Sequence, residues 1–390
     1  MDAKWTNAGS VLGLKSDIKL LGLNFADTSA SATPEAGQGW FETDTKAIGW
    51  YNSDSTWFSN IKTNELATSS SALRAALWGY ASRRSGAIQY SDDDTVLIPG
   101  NCLEVDGKLC WWDVEITFNL GSGGSNAGST NLGANQWHYI YVDYSSITVT
   151  IPSTELVAAN FINSTTRPWN SFLTGAADGT SANHLIDSGE TFSAVRVGDQ
   201  VHNTTDNTYA NVTVVASGDL TLDADIFVSG EDYDLCHNPY NNAKQGYYNG
   251  SDRLIGVVLT DGSNHILKFS WDVNDLLYRF SVPIQELGGV GNTSYTDVDL
   301  TSSIPALGQM TAIMEWLVYG AGASNNLTFY IRPNGSAETA TRYGIVPVDT
   351  SLYLGGQAEE KTDFAQKIEY QTASADADLS LNIQGFYLYI

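Results

Sequence analysis

Short apolar runs separated by polar turns make up most of the chain. The stretch 246–269 shows the pattern best. Its apolar run, residues 254–259, is too short for a helix and rich in β-branched side chains. Asp261 and Gly262 follow, and both tolerate the positive φ that a tight turn needs. We therefore predict that residues 265–269 pair back on the first run and form a central hairpin of a β-sandwich core.

Alternation with a period of two recurs elsewhere, as expected of half-buried strands. In residues 137–142, three aromatic side chains fall on one face and the other three side chains on the opposite face. Alternate residues are also apolar in 310–318 and in 379–383, and the chain ends on an apolar run. These patterns predict an all-β protein built from β-sandwich domains, with a C-terminal strand tied into a sheet.

The order of the runs predicts a division into successive parts. Residues 1–66 contain runs too small to be stable alone, which indicates a small β-meander of hairpins that packs against something else. The stretch 64–84 is the best helix candidate, and residues 67–85 are assigned to it, either as a trimer-forming or connecting helix or as a lone helix packed on a sheet. Residues 86–283 predict a central β-sandwich, and residues 284–390 a C-terminal one.

A small β-domain is predicted to interrupt the central sandwich over residues 171–238. The sequences before and after it would be contiguous without it, which indicates an insertion at a loop tip. Turns rich in Asp, Asn and Gly separate its short runs, so we expect a compact β-barrel-like domain. Its predicted strands are residues 194–197, 199–202, 210–215 and 219–222.

Charge and composition limit the possible partners. The 390 residues suffice for two or three domains with hydrophobic cores. With 44 acidic and 19 basic residues, the formal net charge of −25 predicts no nucleic-acid partner and no binding to anionic membrane. No stretch approaches the ~20 apolar residues of a membrane helix, and the N-terminus lacks the apolar core of a secretion signal.

The cysteines predict reduced thiols. An odd count of three, Cys102, Cys110 and Cys236, argues against a disulfide framework, and no metal-binding spacing is present. A two-residue turn at Asp106 and Gly107 would place Cys110 opposite Leu103 and not opposite Cys102. Buried, reduced thiols suit assembly in a bacterial cytoplasm.

No sequence motif indicates catalysis. The chain has no GxSxG nucleophile motif, no phosphate-binding loop and no paired His–carboxylate motif among its five histidines. Paired carboxylates can cleave glycosidic bonds, and a run of aspartates can bind Ca²⁺, but a chain with 44 acidic residues contains such clusters without chemistry. We predict no catalytic residue, no metal site and no cofactor. The acidic clusters are Asp92 to Asp94, Asp223 with Asp225, Glu231 with Asp232, and Glu359 with Glu360.

Aromatic side chains in turns are candidates for stacking on sugar rings. Each of them is more often a packing or interface residue than a ligand contact, so no binding residue is assigned. The candidates are Trp169, Tyr247, Tyr248, Tyr295 and Tyr343.

Four stretches resemble parts of bacteriophage virion proteins. The strings WHYIYVDYSS, FINSTTRPWNS and GYYNGSDRLIGVVLTDGS, within residues 86–283, resemble a module of tail and head fibre proteins. Residues 33–58 resemble the hairpin near the attachment end of phage fibres, with Pro-x-x-Gly, Thr-Asp-Thr, Trp-Tyr-Asn and a second Trp. The inserted stretch is similar to a domain that recurs in phage structural proteins. Residues 284–390 resemble the C-terminal β-sandwich, often a jelly roll, at the tip of trimeric fibres.

This resemblance implies a non-enzymatic virion fibre protein, assembled in the host cytoplasm. Its implied partners are two further copies of the chain in a homotrimer, other virion proteins through the N-terminal part, and a host-surface glycan or protein. Turns at residues 289–292, 321–326 and 333–338 would project from the C-terminal sandwich, where binding residues tend to lie. Two alternatives stay open: a capsid decoration or head fibre protein without a role in host range, and a surface-polysaccharide depolymerase.

Overall fold

The computed structural model describes most of the chain after residue 86 and four short strands before it. The chain divides into two compact units, Met1–Trp78 and Gly79–Ile390. The predicted helix at residues 67–85 lies outside the described residues. The described residues are 23–24, 39–42, 47–51, 57–62, 87–120, 129–148, 154–272, 276–320, 328–336, 341–343, 353–375 and 377–390.

The first unit contains one four-stranded sheet in the order β1-β2-β3-β4. The pairs β2–β3 and β3–β4 are antiparallel, and β1 pairs with β2 in parallel. The strands β2, β3 and β4 therefore pair with one another in chain order and antiparallel, as in a meander, whereas β1 joins in parallel. The strands are β1 Leu23–Asn24, β2 Gly39–Glu42, β3 Ala47–Tyr51 and β4 Trp57–Lys62.

The second unit begins with the central part. Its first strands are β5 Gln89–Tyr90, β6 Thr95–Ile98, β7 Asn101–Val105, β8 Lys108–Trp112, β9 Ile116–Asn119, β10 Trp137–Val142, β11 Thr154–Glu155 and β12 Phe161–Ser164. Two single-turn 3₁₀ helices lie at Tyr144–Ser146 and Ala158–Asn160. None of the helices among the described residues is long and apolar enough to cross a membrane.

The inserted part follows, as a six-stranded sheet in the order β13-β18-β15-β16-β17-β14. It has its own hydrophobic core, separate from the core of the rest of the unit, with Phe192, Tyr233 and Leu235 fully buried or nearly so. Its strands are β13 Leu173–Ala176, β14 His184–Ile186, β15 Gln200–Asn203, β16 Thr208–Ala216, β17 Asp219–Leu222 and β18 Asp232–Cys236.

The remaining strands complete the central part and form the C-terminal sandwich. They are β19 Tyr240–Asn241, β20 Gly246–Asn249, β21 Asp252–Leu259, β22 Phe269–Asp272, β23 Leu277–Val290, β24 Thr296–Asp299, β25 Thr311–Gly320, β26 Phe329–Pro333, β27 Thr341–Tyr343, β28 Tyr353–Lys361, β29 Lys367–Thr372 and β30 Ala377–Tyr387. The C-terminal sheets have the orders β22-β23-β30-β25-β28 and β24-β29-β26-β27.

The strand β21 lies at the centre of the sheet β12-β10-β21-β20-β19, as predicted for its apolar run. Its antiparallel partner is β10, so the two most apolar stretches of the central part pair with each other. The return of the predicted hairpin is shorter than expected, with one bridge between Thr260 and Ile266. The Ile266 N–H donates to the Asp93 carbonyl (2.7 Å) and the Leu267 N–H donates back to the Leu259 carbonyl (2.8 Å), after which the chain leaves β21 and pairs with β23 from Phe269 onward.

Turn-forming residues account for the hairpin between β7 and β8 and for the absence of a predicted strand at residues 194–197. Asp106 and Gly107, both with positive φ, join β7 to β8, and Cys110 lies opposite Leu103 as predicted. All three cysteines are buried free thiols. By contrast, the predicted strand at 194–197 is a turn, because the Asp199 carboxylate accepts the N–H of Arg196 (2.7 Å) and Gly198 has φ 93°.

The central and C-terminal parts share one hydrophobic core. The strand β23 runs through the predicted boundary after Pro283, where a bulge interrupts its pairing with β30. Trp137 of β10 packs against Tyr278, Phe280 and Phe386 of the C-terminal sheet. The strand β30, with its buried alternate residues, lies between β23 and β25, which confirms the predicted C-terminal strand.

Candidate functional site at the junction of the inserted domain

The acidic residues singled out in the sequence mostly close turns. Asp92 accepts the N–H of Asp94 (3.2 Å), and Asp223 accepts both the N–H and the side-chain amide of Asn211 (2.7 and 2.8 Å). Glu231 accepts the N–H of Val228 (2.7 Å). Among the described residues, no group of three or more His, Cys, Asp or Glu side chains is arranged to hold a metal ion.

Four of the five aromatic candidates can be located with their side chains. Tyr247 and Tyr248 lie in β20 and are buried, so the expectation that they are exposed in a turn is wrong: the strand places them in the sheet and the core. Tyr295 is half-buried beneath the guanidinium of Arg332, 3.6 Å from its ring centre. The side chain of Tyr343 lies outside the part of the chain that the structure describes. Trp169 remains, and it belongs to a larger cluster.

Of the three turns predicted to carry binding residues, none is described as a complete projecting loop. Residues 289 and 290 belong to the end of β23, and residues 321–326 lie outside the described part. In the third turn, described as far as residue 336, Gly335 takes φ 68°.

The cluster around Trp169 starts with a row of side chains on the inserted sheet. Tyr209 of β16 lies opposite His202 of β15, and His202 lies opposite Asp234 of β18. Their strand neighbours Val201 and Leu235 are buried in the core of the inserted domain. Because side chains alternate along a strand, the row faces away from that core.

The segment that leads into the insertion lies against this row. The Arg167 guanidinium stacks on the Tyr209 ring at 3.6 Å from its centre and is 5.2 Å from the Trp169 ring. The His202 and Tyr209 rings stack in parallel, 4.3 Å apart, and Trp169 meets His202 edge-on at 5.5 Å.

Hydrogen bonds to main-chain carbonyls fix this segment to the central sheet. The main-chain N–H of Trp169 donates to the Tyr248 carbonyl (2.8 Å), and the Tyr141 hydroxyl donates to the Thr166 carbonyl (2.8 Å). Pro168 is buried between them, and a residue before proline is held in an extended conformation. The backbone therefore presents Arg167 and Trp169 at a defined position relative to the inserted sheet.

Burial controls the protonation of the cluster. It lowers the pKa of the Arg167 guanidinium, and the neighbouring tyrosines Tyr209 and Tyr139 oppose this shift. It raises the pKa of the Tyr209 hydroxyl, with Arg167 acting in the opposite direction. It lowers the pKa of His202, although the hydrogen bond to Asn207 favours the charged ring. The basic side chain of the cluster is Arg167, and its acidic side chain is Asp234.

Several polar atoms of the cluster are shielded from solvent and have no hydrogen-bond partner. They are Nε and Nη2 of Arg167, Nε1 of Trp169 and Oδ1 of Asp234. Folded proteins pair almost all buried polar atoms, because each unpaired one costs about 1–3 kcal/mol or more. Four such atoms on three residues therefore mark a place where a further polar group belongs.

Sequence reasoning identified Trp169 but not its companions. Arg167 stands two residues before Trp169, yet nothing in its sequence context indicates burial. His202, Tyr209 and Asp234 join the cluster only through the register of three strands.

No family model matches the chain, and a search of curated proteins found no relative.

Proposed function

We propose that the chain is a structural fibre protein of a bacteriophage virion that recognises a glycan or protein on the host surface. The observation that carries this proposal is the N-terminal sheet. The strands β2, β3 and β4 coincide with the aromatic runs of the stretch that resembles the attachment hairpin of phage fibres. A second compact unit, built of sandwich-like sheets with an inserted domain, is available for recognition.

The surface charge also supports this function. A formal charge of −25 keeps the chain from binding the nucleic acid of the particle or of the host. It is compatible with a neutral glycan or a protein as the recognised partner. In this proposal the first unit attaches to other virion proteins, and the second unit makes the contact with the host.

The test uses the phage that encodes the chain. Cryo-electron microscopy of particles should locate the chain on a tail or head fibre, and the purified full-length protein should adsorb to host cells and compete with infection. It should release no reducing sugar from host polysaccharide. Location on the capsid shell without adsorption would favour a decoration protein, and sugar release would favour a depolymerase.

A truncated chain provides the matched control. Removing the first unit, Met1–Trp78, leaves the strands and cores of the second unit intact. This variant should still adsorb to cells but should not be incorporated into particles. Incorporation at the normal level would contradict the role assigned to the first unit.

A further inference from the structure

The unpaired atoms at the junction of the inserted domain form a mixed set. Arg167 and Trp169 contribute three N–H donors, and Asp234 contributes one carboxylate acceptor. The Nε and Nη2 atoms of a guanidinium are the edge that binds two neighbouring oxygens side by side. A group that completes this set must accept hydrogen bonds at one side and donate one at the other.

We propose that this cluster is a binding subsite for a neutral polyhydroxylated ligand, such as a saccharide ring. This inference rests on the proposed function, since it names the class of ligand through which host recognition would occur. It places the contact at the insertion, among Arg167, Trp169, His202, Tyr209 and Asp234, and not at the turns of the C-terminal sandwich.

The charges of the cluster select a neutral ligand. A carboxylate or phosphate would pair with Arg167 but would be repelled by Asp234. It would also leave the Asp234 Oδ1 atom without a hydrogen-bond donor. An ammonium group would pair with Asp234 but would be repelled by Arg167. A hydroxyl group both accepts and donates a hydrogen bond, so the several hydroxyls of a polyhydroxylated ligand can serve both the donors and the acceptor.

The aromatic rings complete the site. Trp169 keeps part of its surface exposed, and the face of its indole matches the apolar C–H face of a sugar ring. The Tyr209 ring is already stacked on His202 and on the Arg167 guanidinium, so the Tyr209 and His202 rings form the wall beside Trp169. The polar atoms lie below that surface and are shielded from solvent. A saccharide therefore reaches them only when a ring turns aside, and binding should change the fluorescence of Trp169.

The experiment measures binding to the full-length protein directly. An array of neutral oligosaccharides and of uronate-containing ones identifies a ligand, and calorimetry then gives its Kd. A neutral oligosaccharide should bind and change the tryptophan fluorescence, and Trp169→Phe should abolish that change. Arg167→Gln should weaken binding at least about tenfold, the loss expected for one charge-assisted hydrogen bond.

Arg332→Gln is the matched control. Arg332 also stacks on a tyrosine ring, Tyr295, at 3.6 Å, but its Nε is paired with Glu369 at 2.6 Å. This variant should bind the saccharide as the unmodified protein does. Equal weakening by both arginine substitutions would show a general loss of stability and overturn the assignment.

Asp234→Asn tests the selection of a neutral ligand and also serves if Arg167→Gln does not fold. It keeps the shape of the side chain and removes the charge, so the preference for neutral over uronate-containing ligands should fall at least about tenfold. An unchanged preference, or no binding of any neutral oligosaccharide, would overturn the proposal. If the protein adsorbs to host cells but binds no saccharide, the proposed function stands and the saccharide site is refuted. If the protein binds a saccharide but is absent from phage particles, the virion function is refuted and the saccharide site stands.

Discussion

The buried His138 predicts that acid destabilises the fold, and the structure gives the size of the effect. The ring is fully buried in β10, and two N–H donors face it: the Gly133 N–H at Nε2 and the Asn163 side-chain amide at Nδ1, both at 3.3 Å. The Asn163 amide nitrogen also donates to the Thr130 carbonyl (2.5 Å), which orients it. A neutral imidazole has one lone pair for these donors and an imidazolium has none, so protonation is disfavoured.

The sign and magnitude follow from this environment. Burial lowers the pKa of His138 from 6.5 to about 4. Between these two values the unfolded chain binds a proton that the folded chain does not, so stability falls as the pH falls through this window. At about 1.4 kcal/mol per pKa unit, the loss from pH 7 to pH 4 is about 3 kcal/mol for this residue. Above pH 6.5 the contribution is fully present.

The assay compares urea unfolding of the unmodified protein and of His138→Gln at pH 7, 6, 5 and 4, followed by tryptophan fluorescence. The unfolding free energy of the unmodified protein should fall by about 3 kcal/mol more than that of His138→Gln on acidification, because glutamine has no proton to gain. Parallel loss of stability in His138→Gln and the unmodified protein would refute the reasoning.

Three further predictions concern assembly and folding. Replacing residues 171–238 by a short Gly/Ser linker should leave the remaining chain soluble and folded. The ends of the insertion are adjacent, because the Phe172 N–H donates to the Leu235 carbonyl (2.9 Å). Loss of all soluble protein would show that the insertion completes the core. Light scattering should give a mass of about 126 kDa for a homotrimer, three times the 42.1 kDa of one chain, and a monomer stable at micromolar concentration would contradict this. Gly385→Ala should lower the unfolding free energy by more than about 3 kcal/mol, because the new Cβ would lie 2.0 Å from the Tyr278 carbonyl oxygen. Gly262→Ala is the control: no atom lies nearer than 3.8 Å to the new Cβ, so the unfolding free energy should change by less than about 1 kcal/mol.

Local patterns in the sequence determined the fold class and many of the strands. The alternation in residues 379–383 predicts a half-buried strand, and β30 has its alternate residues buried there. Asp106 and Gly107 determine a hairpin because they tolerate the positive φ that both adopt. These features depend on neighbouring residues, so a single sequence contains the information for them.

Only the tertiary structure decided which apolar runs share a core. The sequence around Pro283 indicates a boundary, but the long strand β23 absorbs the proline in a bulge and pairs on to Val290. Tyr247 and Tyr248 follow a polar segment and were expected at the surface, yet their strand lies within the unit and buries them. Burial depends on what packs above a residue, and that packing partner is distant in the sequence.

The candidate site shows the same limit most clearly. The sequence indicated Trp169 as an aromatic residue that a ligand can reach, because its neighbours are typical of a turn. Arg167 meets Tyr209, and Tyr209 meets His202 and Asp234, through strand register and through the docking of the inserted sheet on the segment before it. A shift of one residue in any of these strands would turn the row toward the opposite face. Register is set by the whole sheet, so the sequence supplies the residues of the site and the tertiary structure brings them together.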